Sequence, residues 1–465
     1  MQKINAQAQL RHEAGQWDFT VDARAYDNEW TSTDQVPQRA IASGQIDRFG
    51  FIDDDLGGDT SRYSLSGSAR YIHDDFSVTQ MQAYLVDYQL SLFSNFTYFL
   101  EDPVNGDEFE QRDDRTYYGA SLTHERNIGS RLHLNGGLDL RRDDISDIGL
   151  FNTVARNRIN TVRRDQVSET SVSAWGDVEY DLTDRVRATV GVRADYFHGD
   201  VEAISDPRNG GSKDDFLVSP KVALAWRATD TLELYANAGR GFHSNDVRGA
   251  TIQFDPASGA AVDTVPILVA GDGAEVGARL DLGDFNATVS VFTLDLDSEL
   301  VFVGDAGTTE PNDASTRTGV EATLFWRPTD WLVADVAAAY TDSSFKDVGP
   351  DDQIPNSVGT VFGGGLTGLF GNSTVSLRLR HFGDSPLIED GSVKSDPTTI
   401  VNVGASHDIG PITIGLDLLN AFDARDADIT YFFESRLAGE TSGVEDVHFH
   451  PVQPRQVRAR LRYRF

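Results

Sequence analysis

The sequence predicts an all-β fold and, within that class, a transmembrane, antiparallel, up-and-down β-barrel. Segments that alternate apolar and polar residues recur from one end of the chain to the other. Short turns between these segments alternate with long polar connections, and the closing segment alternates without a break. The segments are roughly 10 residues long, as membrane-spanning barrel strands are, and they number about 19.

Alternation places apolar side chains on one face of a strand and polar side chains on the other, because successive side chains point to opposite faces. The clearest segments are 186–194, 231–238, 375–379 and 412–418. In a barrel wall, one face of such a strand contacts lipid and the other faces a wet lumen.

The connections between strands are predicted to fall into two length classes. Short turns are expected at 128–130, 183–184, 229–230, 283–284, 329–330, 371–372 and 410–411. Long connections are expected at 28–60, 93–112, 143–165, 243–271, 341–353, 383–396 and 422–452. This alternation is typical of bacterial barrels, which have tight periplasmic turns and long extracellular loops, whereas sandwiches and propellers do not sort their loops by length.

Two of the short turns share the pattern Trp-Arg-x-Thr-Asp-x-Leu, beginning at Trp226 and at Trp326. Thr and Asp make local hydrogen bonds that close tight turns. We expect both tryptophans to belong to an aromatic girdle at the membrane interface. The alternative is that each is a core tryptophan near a hairpin.

The closing strand carries two different faces. One face bears apolar residues and the other bears arginines, namely Arg458, Arg460, Arg462 and Arg464. Four guanidinium groups cannot be buried without partners, because their desolvation costs too much free energy. We therefore predict that these arginines face the lumen.

Composition excludes several classes of function. The 465 residues include no cysteine, which excludes disulfides, thiolate metal sites and thiol catalysis. Forty Lys and Arg stand against 73 Asp and Glu, a net charge of -33, which argues against nucleic acid as a partner. The acidity suits solvated loops or, alternatively, cation binding. No apolar run reaches the ~18 residues of a transmembrane helix.

No catalytic grouping emerges, and we predict that the protein is not an enzyme. His243, Ser244 and Asp246 lie too close together on one strand end to converge as a triad. His448 and His450 could bind a metal, but no third ligand is evident, and a structural role is favoured. No metal site is therefore predicted from histidine.

Two kinds of binding residue are candidates in the long connections. An acidic group could hold Ca²⁺ or could simply be solvated, and its members are Asp53, Asp54, Asp55 and Asp59. Loop aromatic residues could contact a flat or sugar-like ligand, and these are Phe96, Tyr98, Tyr431 and Phe432. The aromatic residues could equally pack against one another or lie among lipid headgroups.

The amino-terminal residues 1–8 lack the apolar core of a signal peptide, which an outer-membrane protein requires. Bacterial single-chain barrels have an even number of strands, so an odd count suggests missing strands. We expect residues 1–465 to form one barrel domain that is truncated at its amino terminus by about three strands.

Four segments resemble the TonB-dependent receptors of Gram-negative outer membranes: 235–246, 416–423, 448–455 and 462–465. The resemblance implies a barrel of about 22 strands around an amino-terminal plug. The plug would carry the TonB box that contacts the TonB–ExbB–ExbD complex, and neither is expected in this chain. The terminal Phe465 resembles the signal that the barrel assembly machinery recognises.

The leading hypothesis is therefore the barrel of an importer in the Gram-negative outer membrane, surrounded by lipid and lipopolysaccharide. Long extracellular loops would capture a scarce small-molecule solute such as a ferric siderophore for energised, TonB-dependent uptake. The alternatives are a passive wide pore, a non-functional receptor fragment, an outer-membrane enzyme or adhesin, and a soluble all-β protein.

Overall fold

A computed structural model describes residues 2–303, 308–311 and 313–464. In these residues, 19 strands form a single antiparallel sheet, which confirms the predicted all-β class. Strands account for 69% of the protein and helices for 3%. No helix in the described ranges is long and apolar enough to cross a membrane.

The strands in chain order are β1 (Gln2–Ala14), β2 (Trp17–Thr31), β3 (Val36–Pro37), β4 (Gly57–Ile72), β5 (Val78–Ser94), β6 (Phe109–Ile128), β7 (Leu132–Val154), β8 (Asn157–Thr183), β9 (Val186–Ala203), β10 (Gly211–Arg227), β11 (Leu232–Ser244), β12 (Leu268–Asp281), β13 (Phe285–Leu296), β14 (Leu300–Val303), β15 (Thr308–Pro311), β16 (Ser315–Thr329), β17 (Leu332–Phe345), β18 (Thr360–Phe370), β19 (Ser373–Phe382), β20 (Thr398–Ile409), β21 (Ile412–Leu419), β22 (Ala427–Ser435), β23 (Val444–Pro451) and β24 (Gln456–Tyr463). The helices are α1 (Gln38–Ala42) and α2 (Val247–Thr251), with a 3₁₀ turn at Pro207–Asn209.

Each strand of the large sheet pairs with the next one along the chain, while β3, β14, β15, β22 and β23 lie in the connections. The described residues record no pairing between β1 and β24, so the sheet is open. A short turn follows β1 and a long connection precedes β24, so both strands run from the end of the long connections towards the short turns. They could therefore not pair with each other in antiparallel fashion.

The predicted short turns all connect neighbouring strands of the sheet, and further short turns occur at 15–16 and 73–77. The prediction of a long connection at 143–165 is wrong. There β7 and β8 continue as a hairpin to a two-residue turn, Ala155 and Arg156, which have φ angles of 48° and 60°. Such a turn suits the right-handed twist of a hairpin. Sequence alone suggested a loop because polar residues dominate this part of both strands.

The sheet has an apolar outer face and a polar inner face. On β10, Phe216, Val218, Val222 and Leu224 are exposed on the outer face, while Lys221 lies on the inner face with Asp177 of β8. Large apolar side chains are stable in this exposed position when lipid surrounds them.

Aromatic residues gather at the end of the sheet that carries the short turns. Trp226 and Trp326 are 48% and 45% exposed, so neither is a core residue. Trp331 stacks on Phe370 with ring centroids 5.6 Å apart. This arrangement is what an interfacial girdle requires.

The opposite end of the sheet carries a cap built from the long connections. Within it, β22, β23 and β3 form a three-stranded antiparallel sheet. Because β3 follows β2 and β23 precedes β24, the cap joins the first and last long connections across the open side of the large sheet.

Candidate functional site

One arginine at the start of α1, Arg39, links two of the long connections that form the cap. The Arg39 guanidinium pairs with Glu440 at 2.9 Å and with Asp446 at 3.3 Å. It also donates to the backbone carbonyl of Ser435 at 2.8 Å. Only 19% of the Arg39 side chain is exposed, so these bonds are largely shielded from water. Arg39 therefore ties the connection 32–56 to the connection 420–455.

Two of the aromatic residues predicted to bind ligand lie in the connection 95–108. Tyr98 is 2% exposed, packs with Ala40 and Leu437, and donates its hydroxyl to the Gln35 carbonyl at 3.0 Å. Phe96 is half-buried and meets the Phe109 ring edge-on at 5.1 Å. Tyr98 thus packs against other residues of the cap, which was the alternative to a ligand contact. A ligand contact by Phe96 stays a prediction.

The other two aromatic residues, Tyr431 and Phe432, are half-buried on β22. They pair in register with His448 and Val447 of β23. The cap thus brings both aromatic groups into one structure, since Tyr98 forms a bridge to Arg436 just beyond β22. Their contact with a ligand also stays a prediction.

His448 is a buried structural residue of the cap, fully shielded from solvent. Its ring stacks on Phe433 with centroids 3.7 Å apart. Nδ1 lies 2.9 Å from the Asp446 carbonyl, which can only accept, so Nδ1 carries the proton and Nε2 accepts from the Ser435 hydroxyl at 2.7 Å. Burial lowers the pKa of His448 to about 4. His450 instead contacts Asp428 at 2.8 Å, so the two histidines have separate partners.

The structure rearranges the acidic group that was a candidate for calcium. Asp53 and Asp55 meet Glu108 of the connection 95–108, with ligand oxygens all within 4.8 Å of one another. Asp54 is exposed in the loop and Asp59 lies on β4, so the predicted set is only partly brought together. Sequence reasoning missed Glu108 because its proximity depends on the packing of two connections.

Several of these carboxylates already accept hydrogen bonds from the protein. Asp53 accepts from the Asn95 amide at 2.9 Å, and Glu108 accepts from the Thr153 hydroxyl at 2.6 Å. Nearby, burial and the charge of Asp53 raise the pKa of Asp34 to about 6, against the opposing hydrogen bond from the Asn95 backbone. Calcium binding here stays a prediction.

The inner face of the sheet is lined by arginine–aspartate pairs two residues apart on one strand. Such residues point to the same face. The pairs include Arg141–Asp143 at 2.7 Å, Arg193–Asp195 at 2.9 Å and Arg163–Asp165 at 2.6 Å. At these positions the inner face is therefore polar, and each arginine charge is paired within the wall.

Two arginines of the closing strand share a single carboxylate. Arg458 and Arg460 pair with Asp417 of β21 at 3.1 Å and 2.8 Å, and Asp417 is 7% exposed. Arg462 lies on the same face of β24, and Arg464 follows the strand, where its backbone N–H donates to the Pro411 carbonyl. That these arginines face the lumen stays a prediction. Phe465, the predicted assembly signal, lies outside the described residues.

Long side chains lie flat across glycines on the inner face. In each case the register places a glycine directly opposite the long residue on the neighbouring strand, and a Cβ there would overlap that side chain. The pairs are Tyr84 with Gly119, Trp175 with Gly137, Tyr235 with Gly277, Phe292 with Gly319 and Arg378 with Gly365. Sequence reasoning missed these pairs because they depend on strand register.

At least three grooves follow the inner wall in the part of the chain that the structure describes. The first, of about 890 Å³, lies on β1–β7 and is lined by Arg62, Tyr84, Tyr117 and Arg141. Arg62 donates to the Tyr117 hydroxyl at 2.9 Å. Among the described residues, no carboxylate lies within ion-pair distance of Arg62. Its charge is thus available to an anion.

The other two grooves, of about 720 Å³ and 580 Å³, lie side by side on β7–β13. They share the residues Lys221, Arg240, Gly241 and Phe242. Aromatic and polar side chains thus line both walls of the lumen.

A known protein family accounts for this geometry. The family described as "TonB dependent receptor-like, beta-barrel" matches residues 4–421. The chain belongs to the TonB-dependent receptor family. The resemblance seen in the sequence is confirmed.

Solved structures share the fold at low sequence identity. The ferric yersiniabactin uptake receptor FyuA from Yersinia pestis has a TM-score of 0.80 at 15% identity, over 99% of this chain and 70% of that one. The ferric citrate transporter FecA, in the unliganded form, has a TM-score of 0.76 at 15% identity, over 99% and 69%. The copper transporter OprC has a TM-score of 0.75 at 15% identity, over 99% and 71%.

As a TonB-dependent receptor barrel, the chain is an outer-membrane protein, as predicted. Members of this family are transporters and not enzymes, which confirms the prediction that the protein is not an enzyme. Receptors of this kind interact with a ligand and with the TonB system.

Proposed function

We propose that this TonB-dependent receptor barrel takes up an anionic metal chelate, such as a ferric siderophore, with energy from the TonB system. The observation that carries the proposal is the groove on β1–β7, where Arg62 is available to an anion beside Tyr84 and Tyr117. Guanidinium and phenol groups suit an oxygen-rich anion, because both donate hydrogen bonds and their flat faces accept stacked rings.

The similar solved structures support a metal chelate as the solute class. Their descriptions name ferric yersiniabactin, ferric citrate and copper. These solutes differ in shape and charge, so the shared fold does not choose among them. In this chain, the choice would depend on the cap and the grooves.

Further partners follow from the same proposal. The apolar outer face would contact outer-membrane lipid, and the end that bears the cap would lie among lipopolysaccharide. The barrel assembly machinery would insert the sheet, and the TonB–ExbB–ExbD complex would supply energy through a plug.

Uptake of radioactive iron by cells that express this protein and have no other receptor for the same chelate tests the proposal. We expect uptake of at least one of ferric citrate and a ferric catecholate, and its loss when a protonophore removes the proton-motive force. R62A should weaken binding of the ferric chelate. R126A should not weaken it, because Arg126 lies outside the groove and pairs with Asp75 near a short turn. Equal uptake with and without protonophore would contradict the energised mechanism.

A passive wide pore is the second candidate, and the inner-wall grooves, which are open towards the lumen, favour it. Planar-bilayer recording separates the two functions. A gated importer should show no steady conductance, whereas a passive pore should conduct continuously without energy. Absence of both binding and conductance would favour the non-functional fragment.

A further inference from the structure

Three neighbouring strands bring two histidines together near the short turns of the sheet. His124 of β6 pairs in register with Thr79 of β5, and Thr79 pairs in register with Tyr71 of β4. His73 follows the end of β4, and its ring meets the Tyr71 ring edge-on at 4.6 Å. These side chains lie on the outer face, because Leu122, two residues before His124 on β6, is an exposed apolar residue.

Both imidazoles contact the same hydroxyl group. His73 Nε2 lies 2.8 Å from Thr79 Oγ1, and His124 Nδ1 lies 2.9 Å from the same oxygen. A hydroxyl carries one proton, so it donates to one of the two nitrogens and accepts from the N–H of the other. Two ring nitrogens from different strands therefore converge on one point.

The imidazole rings are free to close on an ion at that point. Their centroids lie 5.6 Å apart, His124 is exposed and His73 is half-buried. Among the residues that the structure describes, neither His73 Nδ1 nor His124 Nε2 has a hydrogen-bond partner. Each ring can therefore carry its proton on that outer nitrogen and offer the inner nitrogen's lone pair to a metal.

The charges beside the two histidines balance each other. Asp75 lies two residues after His73, and Arg126 lies two residues after His124. The two side chains pair with each other at 3.0 Å. A cation that approaches the imidazoles thus meets no unpaired positive charge from Arg126.

The donor atoms select a class of metal ion. Imidazole nitrogens suit Cu²⁺, Ni²⁺ and Zn²⁺, and Cu²⁺ binds such ligands most tightly, whereas Ca²⁺ and Mg²⁺ prefer oxygen ligands. The Thr79 hydroxyl and water molecules are available for the remaining coordination positions, because the site is open to solvent.

We propose that His73 and His124 together bind a divalent transition-metal ion, such as Cu²⁺, on the outer rim of the short-turn end. Short turns lie on the periplasmic side of bacterial barrels, so the ion comes from the periplasm. The bound ion links the end of β4 to β6 across β5. The site does not depend on which solute the barrel carries.

Electron paramagnetic resonance of Cu²⁺ added to the full chain, folded in detergent, tests the site. Excess Ca²⁺ in the buffer competes for carboxylates such as those of Asp53, Asp55 and Glu108. With one equivalent of Cu²⁺, the pulsed spectrum should show two imidazole nitrogens. A spectrum with one imidazole or none in the unsubstituted protein would overturn the proposal, and this measurement needs no variant.

Substitution of each histidine tests which imidazoles bind. H73Q and H124Q keep a polar side chain of similar length at an accessible position, so both should fold. Each should leave one imidazole in the spectrum and weaken Cu²⁺ binding at least ~10-fold, since loss of even a second-shell partner of a metal ligand commonly costs about 10–100-fold.

H407Q is the matched control for these two substitutions. His407 also contacts a hydroxyl near a short turn, that of Ser373 at 2.8 Å, but no second imidazole shares that hydroxyl in the described part of the chain. H407Q should bind Cu²⁺ as the unsubstituted protein does. Equal affinities in H124Q and H407Q would refute the assignment to His124.

Tryptophan fluorescence locates the ion independently. Trp17 of β2 stacks against Tyr71 at 4.6 Å, and Tyr71 meets His73 at 4.6 Å, so Trp17 lies two ring contacts from the site. Bound Cu²⁺ quenches nearby indoles, so quenching should saturate at one equivalent and should be lost in W17F. Undiminished quenching in W17F would place the ion elsewhere and contradict the proposal.

Discussion

Individual buried side chains in the cap and on the inner wall carry roles that their residue type alone does not reveal. His448 was a candidate metal ligand, yet it is stacked on Phe433 and bonded on both nitrogens. Tyr98 was a candidate ligand contact, yet its ring packs within the cap. The residue types were informative about which segments matter, but burial, which depends on the fold, decides what each side chain contacts.

Acid should loosen the cap through His448. Its pKa is about 4 in the folded cap against 6.5 for the free side chain, so the folded cap disfavours the proton. The stability that depends on neutral His448 is complete above about pH 6.5 and is lost as the pH falls towards 4, by up to about 3 kcal/mol. Hydrogen exchange of β22 and β23, corrected for intrinsic rates, should rise between about pH 7 and about pH 5.

The matched variants for this experiment are H448F and H450Q. H448F keeps an aromatic ring beside Phe433 but cannot take up a proton, so the acid dependence should flatten. H450Q should keep that dependence, because His450 is the more exposed of the pair. Equal acid dependence in H448F and the unsubstituted protein would refute the assignment to His448.

Inner-wall glycines should resist substitution where a long side chain covers them. Gly277→Val should destabilise the sheet by about 1–3 kcal/mol, because its side chain would overlap the Tyr235 ring. Gly241→Val is the control on neighbouring β11, since a Cβ there meets no atom within 4 Å. The temperature at which each folded barrel loses its compact migration in gel electrophoresis measures the difference. Similar losses in both variants would contradict the proposed overlap.

At the scale of elements, strand and turn positions followed from local chemistry, whereas the behaviour of the connections did not. Turns rich in Gly, Asp and Thr lie where they were predicted. Some connections pair with one another, as β3 does with β23. The connection between β11 and β12, residues 245–267, instead packs its helix α2 against the inner face of the sheet. Pairing between segments about 400 residues apart, as between Arg39 and Asp446, has no local signal in the sequence.

The cap should open when its central arginine is removed. R39A loses the ion pairs to Glu440 and Asp446 and leaves both carboxylates partly buried without that partner. We expect a loss of about 2 kcal/mol in cap stability, because hydrogen bonds between charged groups are worth more than neutral ones. Proteinase K should then cut the connections 32–56 and 420–455 faster.

The control for this cleavage is R131A. Arg131 pairs with Asp184 at 3.3 Å between two short turns, and both side chains are exposed. Exposed pairs contribute little to stability, so the cleavage rate of the cap should not change. If R39A and R131A were cut equally slowly, the cap would not depend on Arg39.

For the molecule as a whole, the outer face should lie in lipid and the inner face in water. Brominated lipids should quench tryptophans of the outer face, so W226F and W326F should each reduce the quenched fraction of fluorescence. W175F should not, because Trp175 lies on the inner face and its indole N–H donates to Asp139 at 3.2 Å. Quenching that depends on Trp175 rather than on Trp226 would invert the assignment of the two faces.

The sequence by itself determined the class of fold, the positions of most strands and turns, the outer-membrane location and the family. These properties follow from local alternation, turn chemistry and a few short segments such as 235–246, all of which are readable along the chain. It also identified His448, Asp53 and Tyr98 as residues of interest.

Only the tertiary structure decided what those residues contact and how the mouth of the lumen is built. Segments far apart in the chain must come together to form three of these contacts. They are the contact of Asp53 with Glu108, the packing of Val247 of α2 against Gly199, and the pairing of β3 with β23. Local patterns specify which face of a strand a residue occupies. They do not specify which distant connection will cover it, because that depends on shape and charge complementarity formed only when the sheet has folded.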